Sequence, residues 1–138
     1  MFKDFVLSIN IPANVVRDML DHAREEGPRE CCGLLIGKGD SIARSVRARN
    51  LNSRATRYLI NPEDHFAAIR SARTEGLEVI GAYHSHPSSA PVPSPTDVAE
   101  ANSGSDFVYV IVSLLDDAVR AYRIDEGVYK PLALSPKP

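Results

Sequence analysis

The chain has 138 residues, 43% of them hydrophobic and 25% charged, with a formal net charge of −2. That length suits one domain, residues 1–138, able to bury about two thirds of its unfolded surface, and the charge lacks the basic excess of a nucleic-acid binder. No apolar run reaches the ~20 residues that cross a bilayer, and "MFKDFVLSIN" has no signal-peptide pattern, so we expect a cytoplasmic protein with neither nucleic acid nor membrane as partner.

"FVLSIN" reads as a strand. In the following "IPANVVRDMLDHAREEG", Pro12 opens a helix whose apolar positions Val15, Val16, Met19, Leu20 and Ala23 keep a 3.6 period until Gly27. His22 shares a charged stripe of this helix with Asp18 and Glu26, a pattern expected of a solvated face. "ECCGLLIGKG" and "SIARSVRARN" flank the turn signal Gly39–Asp40 and read as an antiparallel hairpin. Cys31 and Cys32 are adjacent, cannot form a disulfide framework, and face opposite sides of a strand, at least one of them in the core. "RYLIN" reads as a further strand. Asn61 then caps a helix with Pro62 at its first position, acids in its first turn and Gly76 at its end; His65, in that first turn, is expected at the surface.

"LEVIGAY" is a nearly continuous apolar run, suited to a central strand, and leads directly into "HSHP". A Pro-rich loop follows, then a short helix from Ser94 to about Asn102, and "DFVYVIVSLL", "AVRAYRID" and "VYKPLAL" supply the closing strands, with turns at Asp116–Asp117 and Gly127. The expected class is α+β, with one mostly antiparallel, curved sheet flanked by about three helices.

His84 and His86 are two residues apart, so on a strand their side chains point to one face at ~6.6 Å spacing and can converge on one ion. A catalytic zinc site takes three protein ligands and leaves one position open. Asp97 is the first acid after the histidines, and a tight return of the loop would bring its carboxylate to the same point. The competing reading is structural: "SPTD" also fits a capping box, with Ser94 as the N-cap and Asp97 at N3.

Beyond the histidine pair, Glu30 in "PRECCGLLIG" precedes His84-Ser85-His86, and Ser94 and Asp97 follow with spacing H-S-H-x7-S-x2-D. This arrangement resembles the JAMM motif of the MPN-domain zinc metallopeptidases. "PRECCGLLIG", "YLINPEDHFAAIRSAR", "GAYHSHP" and "VYVIVSL" resemble the bacterial stand-alone branch in the same order. The resemblance implies an MPN-type (cytidine-deaminase-like) fold. It also implies one Zn2+ held by His84, His86 and Asp97, Glu30 as general base toward a water that the ion activates, and Ser94 as donor to the oxyanion. The implied substrate is a peptide or isopeptide bond at the C-terminus of a ubiquitin-like or sulfur-carrier protein.

Two other readings stay open. A non-catalytic MPN scaffold would have lost ligands, whereas Glu30, His84, His86, Ser94 and Asp97 are all present. A RadC-like, DNA-associated protein typically has Asn where Ser85 stands. Short segments at "LNSRATRYL" and "EANSGSDF" speak against polyubiquitin specificity. Arg44, Arg47, Arg49, Arg54 and Arg57 form either a solvated run or a basic docking surface for an acidic carrier.

Overall fold

Nearly continuous burial along the central strands, with small residues on one of the helix faces that meet them, builds a sheet covered on both sides. In the computed structural model, which describes residues 8–135, the elements run β1 (Ser8–Asn10), α1 (Ala13–Glu26), β2 (Cys32–Lys38), β3 (Ser41–Ala48), α2 (Pro62–Thr74), β4 (Glu78–His86), α3 (Pro95–Glu100), β5 (Val108–Ser113), β6 (Ala118–Asp125) and β7 (Val128–Ser135). The strand expected in "FVLSIN" lies partly outside the described residues; its described part is β1.

The strands form one mixed sheet in the order β1-β3-β2-β4-β5-β6-β7, closed into a barrel because β1 pairs with both β3 and β7. The α+β expectation holds at this level, and most pairings are antiparallel as expected, but the sheet is mixed. The β2/β3, β2/β4, β5/β6 and β6/β7 pairs are antiparallel, while β4/β5 and both pairings of β1 are parallel. Tight turns, with Gly39, Asp117 and Gly127 at positive φ, force the hairpins. Residues 87–107, carrying α3, instead make a crossover long enough to return the chain parallel. "RYLIN" is not a strand: among the described residues it contributes one isolated bridge, Ile60 with Asn50.

The two faces of the sheet have different coverings. Val15, Met19 and Ala23 of α1 pack with Leu35, Tyr83, Val110 and Val112 on one face. Ala68 and Ala72 of α2 pack with Leu34, Ile36 and Ala82 on the other, where Val98 and Ala101 lie against Tyr109 and Ile111. The period of two therefore sends Tyr83 and Ser85 toward α1, and Ala82, His84 and His86 toward α2 and α3.

Asn61 caps α2 as expected, its side-chain oxygen accepting from the N–H groups of Glu63 (2.8 Å) and Asp64 (3.4 Å). His22 corrects the sequence reading. It is buried, and its Nδ1 lies 2.7 Å from the Tyr83 hydroxyl, because the helical period places it beside Met19 and Ala23 rather than on the solvated stripe.

Gly33 makes room for the same tyrosine. A Cβ built there would sit 2.2 Å from Tyr83 Cε1 and 2.5 Å from the Val46 carbonyl oxygen. Gly33→Ala is expected to destabilise the fold by about 1–3 kcal/mol through overpacking, read as a lowered denaturation midpoint at unchanged slope. A midpoint at or above that of the wild type would show that the ladder yields at this point.

Candidate metal centre

β4 ends at His86, so both histidines sit at the last turns of a buried strand and project to the same face. Their Nε2 atoms are 3.2 Å apart, and each lies 3.1 Å from Asp97 Oδ2. Both histidines are buried. Asp97 arrives from the first turn of α3, where the capping box fixes it: its N–H donates to Ser94 Oγ at 3.0 Å, and its Oδ2 accepts from the Ser94 N–H at 2.9 Å. The cap and the convergence on the histidines thus coexist. Ser94 Oγ acts as acceptor in the cap, so the cap makes no use of the hydroxyl proton.

The electrostatics fit a cation. Burial alone would raise the Asp97 carboxyl, but the hydrogen bonds of His84 and His86 outweigh it and hold the group well below the usual carboxylate range. Burial drives the His84 imidazole below its ordinary value. Burial also acts to lower His86, yet its bonds to Asp97 and to the Ala90 carbonyl leave it raised. That carbonyl accepts from Nδ1 at 2.8 Å, so in neutral His86 the Nε2 lone pair faces Asp97. Two imidazole nitrogens and one carboxylate oxygen, all within 4.8 Å of one another, form the nitrogen and oxygen donor set that suits zinc.

Glu30 stands just before β2. The β2/β4 ladder pairs Cys32 with His84, and beyond it the Ser85 N–H donates to the Cys31 carbonyl while the Cys31 N–H donates to Ser85 Oγ at 2.8 Å. This puts Glu30 beside His86 on the same face. Its carboxyl is buried, with Oε1 lacking a hydrogen-bond partner. Burial pushes it up to about 7, His86 pulling the other way and Asp97 adding to the rise. Glu30 is thus a buried carboxyl within electrostatic reach of His86 and Asp97, with an oxygen that no packing partner satisfies.

All five residues singled out in the sequence are thus drawn into one region. The sequence reading missed Ser85, whose buried hydroxyl accepts from the Cys31 N–H and so ties the residue after Glu30 to the strand of the histidines. A small hydroxyl between two same-facing histidines was the available signal, since the middle residue of such a pair must point into the opposite layer. It also missed Tyr58, whose ring stacks on that of His84 at 4.3 Å and 17°; no local pattern marks a loop residue for that contact.

Thiol chemistry has no support, because burial pushes Cys31 up to about 11 and Cys32 up to about 12. The arginine run is largely spent on this chain's own acids. Arg44 pairs with Glu75, Arg47 with Glu25 at 2.8 Å and Arg49 with Asp64 at 3.0 Å. No described helix is long and apolar enough to cross a membrane.

A family described as prokaryotic homologs of the JAB domain matches residues 12–125, a span that includes every residue of the site. The chain belongs to this family. Among its JAB relatives, the desampylase of Haloferax volcanii is 37% identical over 76% of this chain and 80% of its own length. The probable TtuB-protein conjugate cleaving protease of Thermus thermophilus is 33% identical over 88% and 79%. The CysO-cysteine peptidase of Mycobacterium tuberculosis is 32% identical over 91% and 88%. A Desulfitobacterium hafniense protein solved in solution superposes with a TM-score of 0.85 at 28% identity, covering 94% of this chain and 92% of that one. A JAB1/MPN domain protein from Archaeoglobus fulgidus shares the JAB fold at a TM-score of 0.60 and 21% identity, covering 93% of this chain and 97% of that one.

Proposed function

We propose that this JAB protein is a zinc-dependent peptidase that cleaves the peptide or isopeptide bond following the C-terminus of a ubiquitin-like or sulfur-carrier protein. The observation that carries the reading is the convergence of His84 Nε2, His86 Nε2 and Asp97 Oδ2 beside the buried, unpartnered carboxyl of Glu30. The substrate class is supported by relatives named for cleaving conjugates or adducts of such proteins.

His84, His86 and Asp97 would hold the ion. Bound there, zinc supplies a Lewis acid that lowers the pKa of water toward ~7. Glu30 takes a proton from the attacking water and returns it to the leaving amine, a task suited to a carboxyl near 7. Ser94 donates its hydroxyl proton to the carbonyl oxygen as negative charge develops there, while its oxygen goes on accepting from Asp97 N–H.

The test is a panel of carrier proteins, each fused through its C-terminal diglycine to a reporter. Protein loaded with zinc should cut after the diglycine, stop when a chelator strips the metal and resume when zinc is restored. If every carrier stays intact while an unrelated peptide is cut, the substrate assignment is wrong. If nothing is cut, a scaffold role replaces the enzyme.

A further inference from the structure

Residues 50–60 join β3 to α2 and supply none of the groups given a role in the reaction. They nevertheless touch that machinery at two points. Asn50 is a four-bond hub: its Nδ2 donates to the carbonyls of Glu30 and Arg57, both at 3.0 Å, and its Oδ1 accepts from the N–H groups of Asn52 and Leu59, both at 2.9 Å. The Glu30 N–H in turn donates to the Ala55 carbonyl at 2.9 Å. Both backbone polar groups of Glu30 are therefore held by this one segment.

The second point is Tyr58, presented on the same segment and lying face to face with His84, ring centroids 4.3 Å apart at 17°. The two histidines are oriented by different devices. His86 is fixed by donation from Nδ1 to the Ala90 carbonyl, whereas His84 makes its hydrogen bonds through Nε2, on the site side. A histidine that serves as a ligand needs its ring plane fixed from outside the site, and for His84 the flat partner is Tyr58. The tyrosine also stands between His84 and a cavity of about 570 Å³ lined by Leu34, Ile60, Ala82, Phe107 and Tyr109. It is not among the residues of the three buried apolar clusters, and its ring contact is with His84.

We propose that the β3–α2 segment is a positioning element of the metal centre, in which Tyr58 orients the His84 ring by stacking and Asn50 fixes the backbone of Glu30. The inference rests on reading the site as a zinc centre. It makes the two halves separable: Tyr58 acts on the holding of metal, and Asn50 acts on proton transfer.

The experiment compares the wild type with Tyr58→Phe, Tyr58→Leu and Asn50→Asp, all as full chains. The Asp variant removes the donations to Glu30 and Arg57 but keeps the acceptor for Asn52 and for Leu59, whose N–H bond still anchors the backbone next to Tyr58. The readouts are the rate of zinc transfer to a chelating dye, the absorption spectrum after cobalt substitution, and kcat and KM on a diglycine carrier fusion. Tyr58→Phe should match the wild type throughout. Tyr58→Leu should release zinc about 10–100-fold faster, the usual cost of losing an outer-shell partner, with an altered cobalt spectrum. Asn50→Asp should keep its metal and lose about 10–100-fold in kcat at unchanged KM, as a misplaced base would.

A Tyr58→Leu protein that releases zinc at the wild-type rate with the wild-type cobalt spectrum overturns the role of Tyr58. So does one that fails to fold, which would make the ring a structural support. A wild-type kcat in Asn50→Asp overturns the role of Asn50. If the wild type takes up neither metal, the zinc reading itself falls and the inference with it, an outcome visible before any variant is made.

Discussion

Glu30→Gln is expected to keep its metal and lose roughly 10²- to 10⁴-fold in kcat, the range that a positioned general base supplies. The amide preserves the shape of the side chain but cannot take a proton from water. Metal content should not change, because the groups that converge on the ion position are His84, His86 and Asp97. The same substitution should affect stability in the opposite direction. Burial raises the Glu30 carboxyl to about 7 in the folded chain from an ordinary value of 4.5. Protonation is therefore favoured by folding, and that contribution is complete below pH 4.5 and is lost as the pH climbs through about 7. In the metal-free protein above that pH, the buried charge costs about 1–2 kcal/mol once solvent screening is allowed for. Metal-free Glu30→Gln should thus be the more stable protein at pH 8, with the advantage gone at pH 5. Denaturation of both metal-free proteins at the two pH values checks this, and a Gln variant that remained fully active would remove Glu30 from the mechanism.

Changing Asp97 should remove metal and activity together, and the pair Asp97→Ala and Asp97→Asn separates its two jobs. Its carboxylate accepts from the Ser94 N–H while lying 3.1 Å from both imidazoles. Asn can still accept that N–H bond but is a poor zinc ligand, so Asp97→Asn should fold normally and bind zinc more weakly than the roughly 10–100-fold loss typical of outer-shell changes. Asp97→Ala should lose the metal too and give up about 1 kcal/mol of stability with the capping box. Elemental analysis and thermal unfolding of both variants distinguish the cases. Wild-type zinc content in Asp97→Asn would reduce the carboxylate to a helix cap.

What the sequence made legible was the part that depends on short-range rules. Asn61 and Pro62 marked the start of α2, Gly39 marked the β2/β3 turn, and the two-residue spacing of His84 and His86 put both imidazoles on one face of β4. The spacing from His86 to Ser94 and Asp97 raised both a cap and a ligand, and the structure holds the geometry of both at once. Three things were not legible, each because it depends on contacts between segments rather than on the pattern within one. The parallel pairing of β1 with β3 and β7 depends on closure of the barrel. The burial of His22 depends on Tyr83, 61 residues away. The loop course of "RYLIN", where a β-propensity pattern suggested a strand, follows from the hub at Asn50 drawing the backbone of Arg57 and Leu59 inward.

The loop that leaves His86 has its carbonyls engaged one after another. Ser89 accepts from the Ser113 hydroxyl at 2.6 Å, Ala90 from His86 Nδ1, and Pro91 from the Tyr122 hydroxyl. Swinging this stretch over the centre would break three hydrogen bonds at about 1 kcal/mol each. These bonds tie the rim to β4, β5 and β6. On the function proposed above, a bulky protein substrate would seal such a site by its own body where a short free peptide would leave it wet, and shape would favour conjugates before any side chain read the partner.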